Sequence, residues 1–456
     1  MKNIRYHCPL HVEILYPGEK ASQDAHPCII GQDISFNADH LKAYVPSGWD
    51  PIIFDVMIVA AAVEVCDHSR ARSEMDWGRD FTLTIPVHDP ERWNAPTLKQ
   101  ALLRALKMLT GDLWKIDFRA TLEIPDVAVQ GNFDFPPAVD IIIPFSDGLD
   151  SRSVAGLIEH SRNEKSMRVR VGANRIRKAT ATEEIKPFAN LPFKVRNLKK
   201  GNAESSGRSR GFKFGLMAGL AAYLLDAKSV IVPESGQGAL GPVMVATGQT
   251  YLDRRTHPQF THLMSDLMEA LFGKRIIFEH PRLWSTKGET LAAYKQIFPD
   301  DLIWKDTRSC WTGARQSSVN GSLRQCGVCA ACMLRRTSLH AAGYDEDPAN
   351  YVWENLSASS FWEGAHDDYN NRAAIRQDYA IAGVLHMDHI AALRTHPDLD
   401  YIVQRQALQL ARTMNLPFED TCDKVKLLIE THSAEWSNFV QSLSANSFVQ
   451  QWAEAA

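Results

Sequence analysis

The chain lacks a basic excess, a long apolar run and the commonest short catalytic signatures, and each absence narrows its function. Lys and Arg number 50 against 54 Asp and Glu, a formal net charge of -4 at pH 7. Nonspecific nucleic-acid binding rests on a clear positive surplus, so no direct nucleic-acid partner is expected. The longest uncharged apolar run, 214–225, has 12 residues, whereas a spanning helix needs about 20. The first 19 residues hold no apolar stretch of signal-peptide length. A soluble, cytoplasmic protein with no membrane partner is therefore expected. There is no G-x-x-x-x-G-K-[ST] phosphate loop, no G-x-S-x-G elbow and no H-E-x-x-H. Internal repeats, low-complexity tracts and coiled-coil heptads are absent as well.

What remains is ordinary globular composition. The 456 residues are 45% apolar and 23% charged, enough for about two to three domains around a large core. Cysteine is the informative residue. Cys8, Cys28, Cys66 and Cys422 are scattered, while Cys310, Cys326, Cys329 and Cys332 crowd into 23 residues. A secreted disulfide framework would spread its cysteines over a small domain, so the crowding points to metal binding in a reducing compartment.

Periodicity divides the chain in three. Residues 1–135 read as an α+β N-terminal domain of unknown role, with a buried helix over 52–65, a strand over 81–87 and a helix over 97–109. Alternation at Trp114, Ile116 and Phe118 adds a strand, and Pro136-Pro137 marks the boundary. Over 136–345 short apolar strands alternate with helices. The strands are expected at 139–145, 167–171, 193–196, 229–232 and 275–278, the helices at 151–161, 211–226, 259–272 and 289–298. That rhythm predicts an α/β fold with a doubly wound parallel sheet, whose ligands sit at the carboxyl ends of strands. Residues 346–456 read as a helical C-terminal region packed through Trp353, Trp362, Trp436 and Trp452, with His386 and His389 on a helix surface.

Three post-strand features follow. Ser146-Asp147-Gly148-Leu149-Asp150-Ser151 joins the first strand of the middle segment to a helix. A strand, a tight small-residue loop and a helix N-terminus make an anion site from backbone N–H groups and the helix dipole. Gly236-Gln237-Gly238-Ala239-Leu240-Gly241 has dinucleotide-binding spacing. That reading needs a helix opening at the loop, and Pro242 argues instead for a mobile substrate loop. The spacing C-x15-C-x2-C-x2-C, from Cys310 to Cys332, suits a tetrahedral Zn2+ held by four thiolates, with iron–sulfur as second choice. Four filled positions leave no room for a catalytic water, so the metal is structural.

The S-D-G-L-D-S segment resembles the S-G-G-x-D-S loop of the PP-loop ATP pyrophosphatases, an adenine nucleotide α-hydrolase type of fold. The resemblance implies that ATP and Mg2+ are bound along 146–151: Ser146, Gly148 and Ser151 around pyrophosphate, Asp150 ordering the loop or the magnesium, with Leu149 between them. Asp147 stands where that family has glycine, and its charge beside the phosphates would weaken ATP binding unless a cation screens it. Together with the cysteine cluster, the loop resembles the 7-cyano-7-deazaguanine synthase (QueC-like) family. Ser309-Cys310-Trp311 and 325–335 are similar to its zinc signature. Gly207-Arg208-Ser209-Arg210 resembles its G-R-N segment, Asp253-Arg254-Arg255 its D-C-R-P-x-F segment and Lys287-Gly288-Glu289 its K-x-E. The flanks resemble extended members of bacterial anti-phage (Qat-type, QatC-like) operons.

The resemblance implies an ATP-dependent carbon–nitrogen ligase that adenylates the carboxylate of 7-carboxy-7-deazaguanine before an amine attacks. Arg208 and Arg210 would serve the reaction, and Arg175 and Lys178, with Arg177, would contact phosphate. Glu234 and Asp253 are placed to accept from a guanine-like edge, with Tyr251 as a stacking partner and Arg255 beside them. In the anti-phage relatives the amine would come from a protein docked on the flanking regions. The alternatives are a plain synthase using ammonia and a catalytically degenerate nucleotide- or partner-binding module.

Overall fold

The computed structural model describes residues 9–36, 50–72, 78–121, 138–146, 148–172, 191–196, 204, 207–245, 252–302, 304–305, 307–313 and 316–454. These fall into two compact units that interleave along the chain, 1–146, 163–232 and 253–279 in the first and 147–162, 233–252 and 280–456 in the second.

The first unit is α/β. Strands β1 (Leu10–Leu15), β2 (His26–Ile29), β4 (Asp80–Val87) and β5 (Leu113–Ala120) form a sheet in the order β2-β1-β4-β5. Every pairing in it is parallel, which departs from the α+β arrangement expected of the N-terminal segment. The reason lies in the connection between β4 and β5, where α2 (Pro90–Asn94) and α3 (Pro96–Thr110) carry the chain back to start in the same direction. α3 buries Leu98, Leu102, Ala105, Leu106 and Leu109, one stripe of a 3.6-residue helix, and Gly111 closes it in the left-handed conformation at φ 74°. α1 (Pro51–Ser69) spreads apolar residues around its circumference and is largely buried, starting from Asp50, whose carboxylate accepts the Ile52 N–H.

A second parallel sheet has the order β11-β10-β6-β7, from β6 (Ile141–Pro144), β7 (Ser166–Val169), β10 (Ser229–Ile231) and β11 (Ile277–Glu279). It is flanked by α5 (Arg210–Leu224) and α7 (Pro258–Phe272). The chain leaves β6 for β7 on one side, and β10 lies on the other, so the strand order reverses at β6. β6 and β10 are parallel neighbours, and the segments beginning at Phe145 and Val232 therefore leave from the same sheet edge. The strand expected at 193–196 exists as β9 (Leu191–Val195) but lies outside this sheet. It pairs antiparallel with β3 (Ile34–Phe36) and parallel with β8 (Val171–Gly172). Phe193 and Phe36 stack across that ladder with ring centroids 6.4 Å apart, an interaction the local pattern cannot announce. One continuous apolar core, from Leu10 to Ile276, draws on both sheets.

The second unit is helical apart from a hairpin of β12 (Ser318–Val319) and β13 (Ser322–Leu323). Its helices are α4 (Leu149–Ser161), α6 (Gly236–Met244), α8 (Lys287–Ile297), α9 (Ala330–Ala341), α10 (Ile375–Ala392), α11 (Leu399–Met414), α12 (Phe418–Gln441) and α13 (Phe448–Glu454). α6 occupies the segment expected to be a mobile loop. Trp353 and Trp436 are buried in one of its apolar clusters, with Trp362 and Trp452 against it. His386, expected on a surface, is buried on α10, whereas His389 is exposed. Among the described residues no helix is long and apolar enough to cross a membrane.

Candidate functional site

The segment after β6 opens α4 at Gly148, a residue with no side chain to cap the first turn. The Ser151 hydroxyl donates to the Gly148 carbonyl at 3.1 Å, and that of Ser153 to Leu149 at 2.9 Å. The positive end of a 13-residue helix is thus presented without a side-chain cap from its N-cap residue, an arrangement suited to an anion. Asp150, in the same turn, forms an ion pair with Lys287 at 2.6 Å, and both side chains are largely buried. The second Asp150 oxygen, Oδ1, is buried and accepts from no donor among the described residues.

Glu234 lies beside this pair. Burial and then the neighbouring Asp150 charge push its carboxyl up to about 8, with Lys287 acting in the opposite sense. Burial works to discharge Lys287, yet Asp150 and Glu234 outweigh it and hold the ammonium above its ordinary range. The Glu234 carboxyl is therefore protonated at neutral pH. Glu234 can take its place only because Gly238 has no side chain: a Cβ there would meet Glu234 Oε1 at 2.2 Å.

Lys287 is the first residue of α8, and its neighbours explain its fixed position. Thr286 caps the helix, accepting the Glu289 N–H at 3.0 Å while Glu289 accepts the Thr286 N–H at 2.8 Å. The Thr286 hydroxyl reaches Glu435 of α12 at 2.5 Å. Gln237 of α6 accepts the Lys287 N–H at 2.8 Å and donates to His432 Nδ1 at 2.7 Å and to Glu435 at 3.2 Å. The T-x-x-E pattern at 286–289 signals this cap in the sequence. Nothing local signals Gln237, His432 or Glu435, which meet it only in the fold.

The first unit gathers a second set. Arg208 and the N-cap Ser209 lead into α5, which Arg210 starts, and Asp67 of α1 accepts the Ser209 N–H at 2.7 Å. Asp253 receives Arg255 Nε at 2.9 Å and an Arg255 terminal nitrogen at 2.6 Å, with Arg208 3.4 Å away. Its carboxylate is held below its ordinary range: burial opposes the shift, and Arg255 and Arg208 overcome it. The oxygens expected to accept from a base edge are thus engaged by two arginines of the chain itself. Burial lowers Arg208 and Arg210, and the Arg255 charge nearby adds to it in both. Arg79 of the same unit bridges buried Asp67 and Asp112 at 2.5 and 2.7 Å, and Arg72 joins Asp112 at 3.0 Å.

The four cysteines 310, 326, 329 and 332 converge, all four sulfur atoms lying within 4.8 Å of one another. The Cys326–Cys332 sulfur separation is 3.8 Å, close to the ~3.8 Å edge of a tetrahedron with 2.3 Å arms. Backbone N–H groups of Cys326 and Thr312 point at Cys310 Sγ from 3.2 and 3.3 Å, as they would at a thiolate. Gly327 turns the C-x2-C loop at φ +90°, with Trp353 O only 3.0 Å from where a Cβ would lie. The group could hold a metal ion such as zinc, and its closed, sulfur-only donor set fits a structural site. Arg335, adjacent to the cluster in sequence, pairs instead with Glu346 at 2.6 Å.

Ser146 ends the described segment after β6 in the first unit, and Asp147, Arg175, Arg177, Lys178 and Tyr251 lie outside the described residues. A family model described as Queuosine biosynthesis protein QueC matches residues 239–343. That span includes α8 and all four cysteines but begins after the 146–151 segment. A 7-cyano-7-deazaguanine synthase of Paracidovorax citrulli is 36% identical over 67 residues, 14% of this chain. The chain covers 28% of the length of that relative.

Proposed function

We propose that the chain is an ATP-dependent carbon–nitrogen ligase of the PP-loop type that activates the carboxylate of a 7-deazaguanine such as 7-carboxy-7-deazaguanine. The observation that carries the reading is the convergence of the α4 N-terminus, Asp150, Glu234 and Lys287, with α8 inside the QueC-like segment. A carboxylate has no leaving group. In the proposed reaction its oxygen attacks the α-phosphorus of ATP, the bond to pyrophosphate breaks, and an acyl-adenylate results. An amine then attacks the carbonyl, AMP departs with the bonding pair, and the amine loses a proton to give an amide. A second ATP-dependent round would dehydrate a primary amide to the nitrile.

The residues have distinct parts in this scheme. Gly148 and Ser151 would lie against the phosphates, and Lys287 would balance their charge while ordering Asp150. The adjacent carboxyls of Asp150 and Glu234 form an all-oxygen donor pair that fits Mg2+. When bound, Mg2+ would neutralise charge on the departing pyrophosphate. Glu234 would give up its proton as that cation enters. The participation of Arg208, Arg210, Asp253 and Arg255 belongs to the same proposal, as does a cytoplasmic setting.

The acceptor separates two versions. An anti-phage role with a protein amine agrees with the long flanks on either side of the matched 239–343 segment, whereas ammonia would make the chain a plain synthase. Incubating the purified chain with ATP, Mg2+ and 7-carboxy-7-deazaguanine should release AMP and pyrophosphate only when the acid is present. No substrate-dependent AMP would leave the chain a nucleotide- or partner-binding module. Mass spectrometry of the products then distinguishes a protein conjugate from a free amide or nitrile.

A further inference from the structure

We propose that Glu435, supplied by α12, is a positioning residue for Lys287, so that the C-terminal helices complete the candidate site. This rests on the ligase reading above for its catalytic consequence, though not for its geometry. α8 belongs to the 239–343 segment shared with QueC proteins, whereas α12 lies beyond it.

The chain of contacts is short and buried. Glu435 Oε1 accepts the Thr286 hydroxyl at 2.5 Å, and Glu435 Oε2 accepts a Gln237 side-chain N–H at 3.2 Å. Thr286 caps the helix on which Lys287 is the first residue, and Gln237 accepts the Lys287 N–H. The backbone of Lys287 is therefore flanked by two groups that both end on one carboxyl.

The Gln237 amide has no freedom to flip. Its oxygen takes the Lys287 N–H, while its nitrogen supplies His432 Nδ1 and Glu435. His432 Nε2 faces the Met387 carbonyl at 2.8 Å and must donate to it, so Nδ1 is the acceptor. Gly288 records how closely Glu435 approaches: a Cβ at 288 would lie 2.3 Å from Glu435 Oε1. With its backbone held in this way, Lys287 extends its ammonium to Asp150 at 2.6 Å.

The full-length chain and its Glu435→Ala, Glu435→Gln, Lys287→Met and Glu435→Ala/Lys287→Met variants test this with two readouts. The first is trace acetylation of Lys287 by a small anhydride, quantified by mass spectrometry against Lys274 of the first unit. Glu435→Ala should raise Lys287 labelling about 5-fold or more, as the lysine loses its fixed ion pair, and Glu435→Gln, whose single amide oxygen can accept from only one of Thr286 and Gln237, should fall between Glu435→Ala and wild type. The second is AMP release, where Glu435→Ala should lower kcat about 10- to 100-fold with KM for ATP nearly unchanged. In the Lys287→Met background the same substitution should have no further effect, because its influence passes through Lys287.

Unchanged labelling in Glu435→Ala, or an additive loss in the double variant, would overturn the proposal. Should Glu435→Ala fail to fold, Glu435→Asp keeps a carboxyl group but shortens the reach to Thr286, and carries the same expectation and the same refutation. A wild-type chain without AMP release would defeat the ligase reading, and the labelling result would still decide the positioning.

Discussion

Arg79 has a 3% exposed side chain and faces two aspartates, Asp67 and Asp112, with no exposed surface at all. Burial lowers the tendency of a guanidinium to stay charged, but the two carboxylates beside Arg79 outweigh it and raise its pKa. Replacing Arg79 with Met would leave Asp67 with the Ser209 N–H in place of its ion pair, while Asp112 would keep Arg72. That should cost about 3–5 kcal/mol, measured as a fall in the denaturation midpoint of the full chain. Arg72→Met should cost less, because Arg79 would still bridge both acids. The same logic bears on Asp253. Its sequence position suggested an acceptor for a base edge, and in the structure Arg255 donates to both of its oxygens. A one-dimensional reading finds the acid and the arginines, but not that they neutralise one another.

At the scale of elements, α6 shows how one pattern can arise from different physics. The G-x-G-x-x-G spacing at 236–241 is the spacing of a phosphate loop, but each glycine answers to a packing neighbour. A Cβ at Gly236 would meet the Leu283 carbonyl at 2.2 Å, one at Gly238 the Glu234 carboxyl at 2.2 Å, and one at Gly241 the Ile390 methyl at 3.0 Å. Gly236→Ala should therefore destabilise the chain by about 1–3 kcal/mol, since a backbone carbonyl cannot give way as a flexible side chain can. Gly313→Ala, with nothing within 4 Å of the new methyl, serves as the neutral control. The cysteine element makes a separate expectation. Metal analysis should return about one zinc per chain. Cys329→Ser should release it and raise hydrogen exchange through 310–341, with an intact core in the first unit. Folded protein with an ordered 310–341 segment and no metal would contradict this.

At the scale of the molecule, the second unit holds ionisable groups buried in their neutral forms, and they shape stability from both sides of neutrality. Burial lowers His280 to about 3 and His386 and His432 to about 4. Each contributes stability above its ordinary value of 6.5 that is lost as pH falls toward the folded value. Glu435 behaves oppositely, pushed up by burial from 4.5 to about 7. Its contribution is present in full below pH 4.5 and is lost as pH rises through 7, by up to ~3 kcal/mol. Denaturant titrations between pH 5 and 8 should show the alkaline decline, to which Glu234 also contributes, and Glu435→Gln should reduce its slope; an equal slope in both proteins would refute the assignment. Much of this protein was legible in one dimension. Strand and helix positions follow from apolar periodicity, and the convergence of the four cysteines from their spacing, because both are encoded in short-range order along the chain. The packing of β9 against β3, the turning of 236–244 into a helix and the meeting of Gln237, Lys287, His432 and Glu435 were decided only in three dimensions. These depend on groups up to 198 residues apart, whose close approach excludes water and gives each hydrogen bond and charge a partner that no local pattern names.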